Sequence, residues 1–161
     1  MTEERFVQLV RKEQEVLRRF LLALCGGRHE EAEDLAQDTL LKAWLACNEY
    51  EERYRFSTYL CKVAYRTYVD YLRRTAHRPL PLDETLPLPS PDCADSAFHH
   101  EALHNALACL PLKERTAVCM YYLEEQSIKE IAIATGSNTV AVKQRLKRGR
   151  EHLRKILKDE R

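Results

Sequence analysis

A cluster of prolines in the middle of the chain limits its possible folds more than any other feature. Five of the six prolines lie within residues 79–91, in and around the segment RPLPLDETLPLPSPD. Each proline removes a backbone hydrogen-bond donor and shifts the preceding residue to extended geometry, so no regular helix crosses this segment. Residues 75–98 also carry one arginine against four carboxylates, a net charge of −3. We therefore expect residues 75–96 to form an acidic, semi-rigid, polyproline II-like linker between two domains.

The residues on either side of this linker favour helices. Only 4 of the 161 residues are glycine, and 45% are hydrophobic, which is enough for packed cores and too apolar for a wholly disordered chain. Leu, Ala, Glu, Arg and Lys dominate, and their side chains lose little freedom in a helix. We expect an all-α protein with two small helical domains, residues 1–74 and 97–161.

Hydropathy and charge also bear on where the protein resides. No stretch approaches the roughly 18 uninterrupted apolar residues of a membrane-spanning helix, and the first segment, MTEERFVQLVRKEQ, is charged where a signal peptide is apolar. We expect a cytoplasmic protein without membrane insertion. The six cysteines include no C-x-x-C pair, which favours reduced thiols over a disulfide framework.

Apolar residues at three- and four-residue steps predict three helices in the first domain. The first helix ends at Gly26-Gly27, where glycine can adopt the left-handed conformation of a helix stop. The third helix starts near Phe56, after an aromatic loop from Tyr50 to Tyr54, and ends at Arg73-Arg74. The second helix has a predicted inward stripe of Leu35, Leu40, Leu41, Trp44 and Leu45.

The second domain has the pattern of a helix-turn-helix motif, preceded by helices near residues 97–109 and 114–124. Ser127 and Glu130 predict a capping box, because the Ser127 hydroxyl can accept from the amide of Glu130 while the Glu130 side chain reaches back to the amide of Ser127. The short helix that follows ends at Gly136, and Ser137-Asn138 begin a longer one. Steps of four and three residues predict a buried stripe on this longer helix at Val142, Leu146, Gly149, Leu153 and Ile156. Two helices that meet over a glycine-containing turn are typical of helix-turn-helix motifs.

The last helix is strongly basic, although the whole chain has a net charge of only +1. Residues 139–158 contain eight lysines and arginines against one acidic residue, Glu151, a local charge of +7. Steps of four, three and four residues put a set of these cations on one helix face, namely Lys143, Lys147, Arg150 and Arg154. Such a helix, directly after a capped helix and a glycine turn, predicts binding to nucleic acid. A solvated basic face is the alternative.

Taken together, these motifs resemble the sigma-70 family of bacterial RNA polymerase sigma factors, in its extracytoplasmic-function (ECF) group. The second domain is similar to region 4 of the family, with matching segments at Leu110-Pro111, Arg115, Tyr121-Tyr122, Ser127 to Ala132 and Val142 to Arg150. In the first domain, EEAEDLAQDTLLKAW is similar to the region 2 helix that docks on the polymerase clamp. FSTYLCKVAYRTYVDYLRR is similar to the helix that reads and melts the minus-ten promoter element.

The resemblance implies a protein that binds core RNA polymerase and promoter DNA, directs promoter recognition and DNA melting, and is masked by an anti-sigma factor. The residues expected to dock on polymerase are Asp34, Gln37 and Asp38. Unpaired bases stack on aromatic rings and arginines, and the residues expected at the minus-ten element are Tyr50, Tyr54, Tyr65, Arg66 and Arg73. The residues expected at the minus-thirty-five element are Thr139, Lys143, Gln144, Lys147, Arg148 and Arg150.

The sequence departs from the family at positions that affect promoter specificity. The family commonly has Asn where Arg66 stands, in the pocket for a flipped base, and Trp where Tyr59 stands. In the recognition helix, Val140-Ala141 replaces the family's Gly-Thr, which removes a hydroxyl that could contact a phosphate. The resemblance therefore leaves the recognised bases open.

Two other classes of function stay open at this stage. A helix-turn-helix regulator acting without core polymerase would not need the polar face of residues 33–45. A thiol or metal sensor would use cysteines and histidines whose spacing matches no established zinc site, namely Cys93, His99, His100, His104 and Cys109. We expect no metal and no cofactor. An enzyme is not expected either, because the sequence has no glycine-rich phosphate loop, nucleophile elbow or pair of catalytic carboxylates.

Overall fold

A computed structural model describes residues 1–50, 52–76 and 95–159, with the backbone alone for residues 95–100 and 159. All the regular structure in these ranges is helical, as the sequence predicts. The α-helices are α1 (Glu3–Leu24), α2 (His29–Leu45), α3 (Phe56–Ala76), α4 (Asp95–Ala108), α5 (Leu112–Val118), α6 (Ile128–Thr135) and α7 (Thr139–Asp159). A 3₁₀ turn follows α2 at Cys47–Glu49, and a π-helical turn continues α5 at Cys119–Leu123.

Helices α1, α2 and α3 form a three-helix bundle. The Thr2 hydroxyl caps α1 by accepting from the amide of Arg5 at 3.2 Å. The predicted stop is confirmed, because α1 ends at Leu24 and is followed by Gly26 and Gly27 with φ of +64° and +88°. None of these three helices, nor any other described helix, is long and apolar enough to cross a membrane.

An aromatic cluster closes one end of this bundle. Phe6 packs against Trp44 and Phe56 with ring centroids 5.1 and 5.9 Å apart. Tyr59 is buried beside them, and its hydroxyl donates to the carbonyl of Ala43 at 2.8 Å. This cluster forms the packed surface beneath the aromatic loop that precedes α3.

The capping signals of the second half are confirmed. The Ser127 hydroxyl accepts from the Glu130 amide at 3.1 Å, and Glu130 Oε1 accepts from the Ser127 amide at 3.0 Å. Helix α6 ends at Gly136 with φ of +64°. The side chain of Asn138 then accepts from the amide of Ala141 at 2.8 Å, which starts α7. Because α7 packs on both α5 and α6, its orientation is fixed by two helices.

The two halves of the described chain share one hydrophobic core. Helix α3 packs on α6, and α1 packs on α4, α5 and the π-helical turn. The side chains that meet in this core are Leu17, Phe20, Leu21, Leu24 and Tyr68 from the first half and Leu107, Leu110, Met120 and Ile131 from the second. The sequence patterns do not predict this direct packing. The proline-rich segment lies outside the described residues.

Candidate nucleic-acid and polymerase interfaces

The lysines and arginines expected to bind DNA lie on the solvent-exposed surface of α7. The six residues expected at the minus-thirty-five element are all exposed, namely Thr139, Lys143, Gln144, Lys147, Arg148 and Arg150. Their helical positions bring Thr139, Lys143, Lys147 and Arg150 to one side. Gln144 and Arg148 project further round the helix. The four aligned residues thus form a contiguous polar and cationic surface along α7.

The apolar face of α7 adjoins this surface and packs on α5. Val142, Leu146 and Gly149 are buried there, which confirms the predicted stripe. A Cβ atom at Gly149 would lie 2.6 Å from Cγ2 of Val118, so the two helices approach closely only because residue 149 has no side chain. The exposed cations of α7 are therefore held in one orientation.

Two arginines of α7 contact the protein itself. Arg145 Nη1 donates to the Ser137 hydroxyl at 3.2 Å, which ties the helix to the turn before it. Arg150 Nη1 donates to the Tyr122 hydroxyl at 3.2 Å, beside an apolar groove of about 310 Å³. Arg150 is thus oriented by the π-helical turn, whereas Lys143 and Lys147 are exposed on the surface of α7.

The polar face of α2 is exposed and includes two leucines, Leu41 and Leu45, that the sequence pattern predicts to face the core. Asp34, Gln37 and Asp38 all lie on the surface, as a docking face requires. Leu41 and Leu45 are 59% and 74% exposed, so their predicted inward orientation is wrong. The physical reason is that steps of three and four from Asp34 and Asp38 carry them onto the polar side, while Thr39 and Ala43 fill the buried positions. Sequence reasoning missed these two leucines as surface residues.

The aromatic loop brings Tyr50 and Tyr54 together. Their ring centroids lie 5.7 Å apart with the planes at 88°, and the Tyr50 hydroxyl donates to the carbonyl of Tyr54 at 2.9 Å. Tyr50 also packs on Phe56 and Tyr59, and burial raises its pKa. Both rings are half-buried, so a stacking base would reach only their outer surfaces.

A cavity of about 230 Å³ lies on the surface of α3 around Arg66. Lys42 and Lys62 line it with Arg66, while Asp70 contributes an acceptor and Tyr59 contributes part of the wall. Glu49 also lines the cavity, so three cations and two carboxylates surround it. Cations can bind a phosphate and carboxylates can accept from the exocyclic amines of a base. Lys62 lies four residues before Arg66 on α3, a helical spacing that the sequence shows. Lys42 lies on α2, and only the packing of α2 on α3 brings it to the cavity.

The remaining minus-ten candidates, Tyr65 and Arg73, do not line this cavity. Tyr65 packs against the shared hydrophobic core on another face of α3. Arg73 is exposed near the C-terminal end of α3, almost two turns beyond Arg66. The five residues therefore fall into three places: the aromatic loop, the Arg66 cavity with the Arg73 side of α3, and the core-facing Tyr65.

Three buried cysteines, Cys25, Cys61 and Cys119, have thiols whose pKa is raised by burial. Burial raises the pKa of Cys25 and of Cys119 to about 12, which keeps these thiols protonated at neutral pH. Cys109 is exposed. The described residues contain no group of three or more side chains that could hold a metal ion. Cys93 and the side chains of His99 and His100 lie outside the described part.

Comparison with known proteins gives two family matches, one in each half of the chain. Sigma-70 region 2 matches residues 9–78, and sigma-70 region 4 matches residues 100–153. These ranges include the polar face of α2, the aromatic loop, α3 and most of α7.

Individual relatives agree with these matches. The ECF RNA polymerase sigma factor SigW of Bacillus subtilis is 29% identical over 150 residues, which cover 83% of this chain and 79% of that protein. The ECF RNA polymerase sigma factor SigM of Mycobacterium tuberculosis is 31% identical over 156 residues, which cover 94% and 76%. The sigma factor RpoE of Bartonella quintana, solved in complex with the anti-sigma factor NepR, superposes with a TM-score of 0.80. That match has 23% identity and covers 98% of this chain and 99% of the other, so it supports the fold.

Proposed function

The chain belongs to the ECF group of the sigma-70 family of RNA polymerase sigma factors. We propose which of its surfaces bind polymerase and which bind each promoter element. It binds core RNA polymerase and directs it to promoters. In the proposed division, residues 1–74 bind polymerase and the minus-ten element, residues 75–96 link the halves, and residues 97–161 bind the minus-thirty-five element.

Helix α7 is the proposed reader of the minus-thirty-five duplex. Lys143 and Lys147 are exposed on the face beside the buried stripe and can reach base edges in the major groove. Thr139 and Gln144 supply neutral hydrogen-bonding groups near the start of the helix. Arg148 and Arg150 contact the phosphate backbone, which adds affinity without sequence preference.

The proposed minus-ten surface combines the aromatic loop with the cavity around Arg66. The outer surfaces of Tyr50 and Tyr54 can stack on unpaired bases. The cavity has the size and the charges to take one extruded base with its phosphate, held by Arg66 and assisted by Lys42 and Lys62. In this proposal Arg73 binds the backbone of the captured strand. Tyr65 supports α3 from the core side.

The polar face of α2 is the proposed contact with polymerase. It offers Asp34, Gln37 and Asp38 together with the exposed leucines Leu41 and Leu45. A mixed acidic and apolar helix face suits a partner helix with basic and apolar side chains. The two leucines would contribute affinity, and the carboxylates of Asp34 and Asp38 would orient the partner helix.

We further propose an anti-sigma factor as a second partner, since a protein of the same fold is solved in complex with one. The proposed location is the cytoplasm, where core polymerase and promoter DNA are found. In this account the chain contributes recognition and strand capture, and polymerase contributes the catalysis.

The observation that carries the proposal is the pairing of an exposed basic face on α7 with an exposed acidic and apolar face on α2 in one chain. A helix-turn-helix regulator acting alone needs only the first of these. Size-exclusion chromatography with purified core polymerase tests the role of the α2 face. The wild type should co-elute with polymerase, Asp38→Arg should not, and Glu15→Arg on the exposed side of α1 should behave as the wild type. A wild type that binds DNA but never polymerase would favour the regulator.

A further inference from the structure

Val140 is the most exposed large apolar side chain of the helix-turn-helix motif. It is 64% exposed, in the first turn of α7, and it stands where the family often has glycine. It belongs neither to the buried stripe of α7 nor to the residues proposed above to contact DNA. Single exposed apolar side chains are common on protein surfaces, so the position of this valine has to indicate its role.

Helical spacing puts Val140 on one face with three of the proposed DNA contacts. Lys143, Gln144 and Lys147 follow it by three, four and seven residues, and all three are exposed. We call these four residues the groove face of α7. In helix-turn-helix motifs the N-terminal residues of the second helix contact base edges in the major groove. Val140 is the N-terminal member of the groove face, so in the proposed complex it lies at the end of α7 that approaches the bases.

The backbone that carries Val140 is held in place without DNA. The side chain of Asn138 accepts from the amide of Ala141 at 2.8 Å, and its carbonyl accepts from the amide of Val142 at 3.1 Å. Val142 is fully buried, which fixes this turn on the body of the motif. A valine in a helix has essentially one χ1 rotamer. Its isopropyl group therefore loses little conformational freedom when another surface covers it.

The chemistry of an isopropyl group limits which base it can select. In the major groove thymine presents a C5-methyl group, cytosine presents hydrogen at the same carbon, and the purines present hydrogen-bonding groups. Valine has no donor or acceptor in its side chain, so it leaves the polar edge of a purine without a partner. Apolar contact with a thymine methyl group removes apolar surface of both partners from water. Thymine is thus the base that this side chain favours.

We propose that Val140 is a specificity-determining residue, which selects a thymine in the minus-thirty-five element by packing on its C5-methyl group. The inference rests on the proposed function, because α7 has to be the helix that binds this element. In this arrangement Lys143 and Lys147 attract the duplex, and Val140 discriminates between the pyrimidines beside them. Loss of a contact with one methyl group should weaken binding about fourfold.

Deoxyuridine is the probe, because it differs from thymidine only in lacking the C5-methyl group and pairs with adenine in the same way. The duplex is a promoter fragment on which the wild-type holoenzyme initiates transcription. Each thymine of its minus-thirty-five element, on either strand, is replaced in turn. Holoenzymes are assembled from core polymerase with the wild type, with Val140→Ala or with Thr139→Ser. Thr139→Ser is the matched control, since it removes a methyl group from the adjacent exposed residue.

Fluorescence anisotropy gives the affinity of each holoenzyme for each duplex. The ratio of thymine to deoxyuridine affinity is compared within one protein, so a difference in the folded fraction between variants cancels. At one position the wild type and Thr139→Ser should each bind the deoxyuridine duplex about fourfold more weakly. Val140→Ala should bind both duplexes equally, at the level of the wild type on deoxyuridine, because variant and probe remove the same contact.

Two results would overturn the inference. One is a wild-type holoenzyme that binds every deoxyuridine duplex as tightly as the unmodified promoter. The other is a Val140→Ala holoenzyme that still discriminates fourfold at the position where the wild type does. A wild type that forms no holoenzyme and starts transcription at no promoter would instead overturn the proposed function, and this inference with it.

Discussion

Arg19 in α1 donates to both carboxylate oxygens of Glu124, at 3.2 Å each, and also to the carbonyl of Leu123 at 3.1 Å. The two residues lie 105 positions apart, one in each half of the chain. The side chain of Glu124 is fully buried, whereas Arg19 is 55% exposed. Burial raises the pKa of Glu124, and the charge and hydrogen bonds of Arg19 oppose this shift. Arg19 is thus the cation that keeps a buried carboxylate paired.

Arg19→Gln should lower the free energy of unfolding by about 2 kcal/mol, because it leaves a buried carboxylate without its charged donor. Chemical denaturation followed by circular dichroism measures this loss. In the double variant Arg19→Gln with Glu124→Gln, much of the loss should be recovered, since no buried charge remains. A double variant less stable than Arg19→Gln alone would contradict this account of the pair.

Glu130 predicts a specific dependence of stability on pH. Burial alone would raise the pKa of this carboxyl, but hydrogen bonds from Arg55, Ser127 and Thr58 outweigh it and lower the pKa from 4.5 to about 2. A lowered pKa in the folded state means that the carboxylate stabilises the fold above the unfolded value and loses this effect as the pH falls. The stability difference between wild type and Glu130→Gln should therefore be constant above about pH 5 and shrink between pH 4.5 and pH 2. Urea titrations at a series of pH values measure it; a difference that grows on acidification would be inconsistent with these contacts.

Gly149→Ala should destabilise the second half. The new Cβ would lie 2.6 Å from Cγ2 of Val118, an atom on a β-branched side chain that cannot turn away easily. We expect a loss of about 1–3 kcal/mol, reduced by the better helix propensity of alanine. Thermal unfolding measures this loss, and Val118→Ala in the same chain should restore part of it. No recovery in the double variant would show that the contact between α5 and α7 is not the cause.

Lys143→Ala should weaken binding to a minus-thirty-five duplex about tenfold, through the loss of one major-groove contact. Arg148→Ala should instead weaken binding to all sequences and reduce the salt slope by about one unit. Fluorescence anisotropy on matched and scrambled duplexes distinguishes the two effects. Lys158→Ala, in the last turn of the same helix, is the control for general loss of charge. Equal effects of Lys143→Ala and Lys158→Ala on the matched duplex would remove Lys143 as a reader.

The exposed leucines of α2 should contribute to polymerase affinity. Leu41→Ser with Leu45→Ser removes apolar surface that only a partner can cover, so polymerase binding should fall about tenfold or more while the stability of the free chain stays within about 0.5 kcal/mol. Val7→Ser, a change at an exposed apolar residue of α1, is the control. Surface plasmon resonance with immobilised core polymerase gives the affinities. Wild-type affinity in the leucine variant would exclude this face as the apolar contact.

Local signals in the sequence predict the individual helices well. Gly26-Gly27, the capping box of Ser127 and Glu130, and Gly136 each act within a few residues, so their effect can be read from spacing alone. The apolar stripe of α7 is also predicted correctly at Val142 and Leu146. Apolar residues that recur every three or four positions fall on the same face of a helix.

The packing of the two halves could not be predicted in the same way. Arg19 lies on a helix and Arg55 in a loop, where a charge ordinarily indicates a solvent-exposed position. Their partners Glu124 and Glu130 are 105 and 75 residues away. The predicted burial of Leu41 and Leu45 is wrong for a related reason. A step of three or four residues does not say which of two adjacent helix faces is buried, and only the neighbouring helix decides it.

Run-off transcription tests the central claim most directly. Purified bacterial core polymerase is incubated with a pool of genomic promoter fragments from the host, with and without this protein. The account predicts discrete new start sites that appear only when the protein is present and that disappear with Asp38→Arg. A protein that binds DNA but neither binds polymerase nor produces any new start site would contradict it.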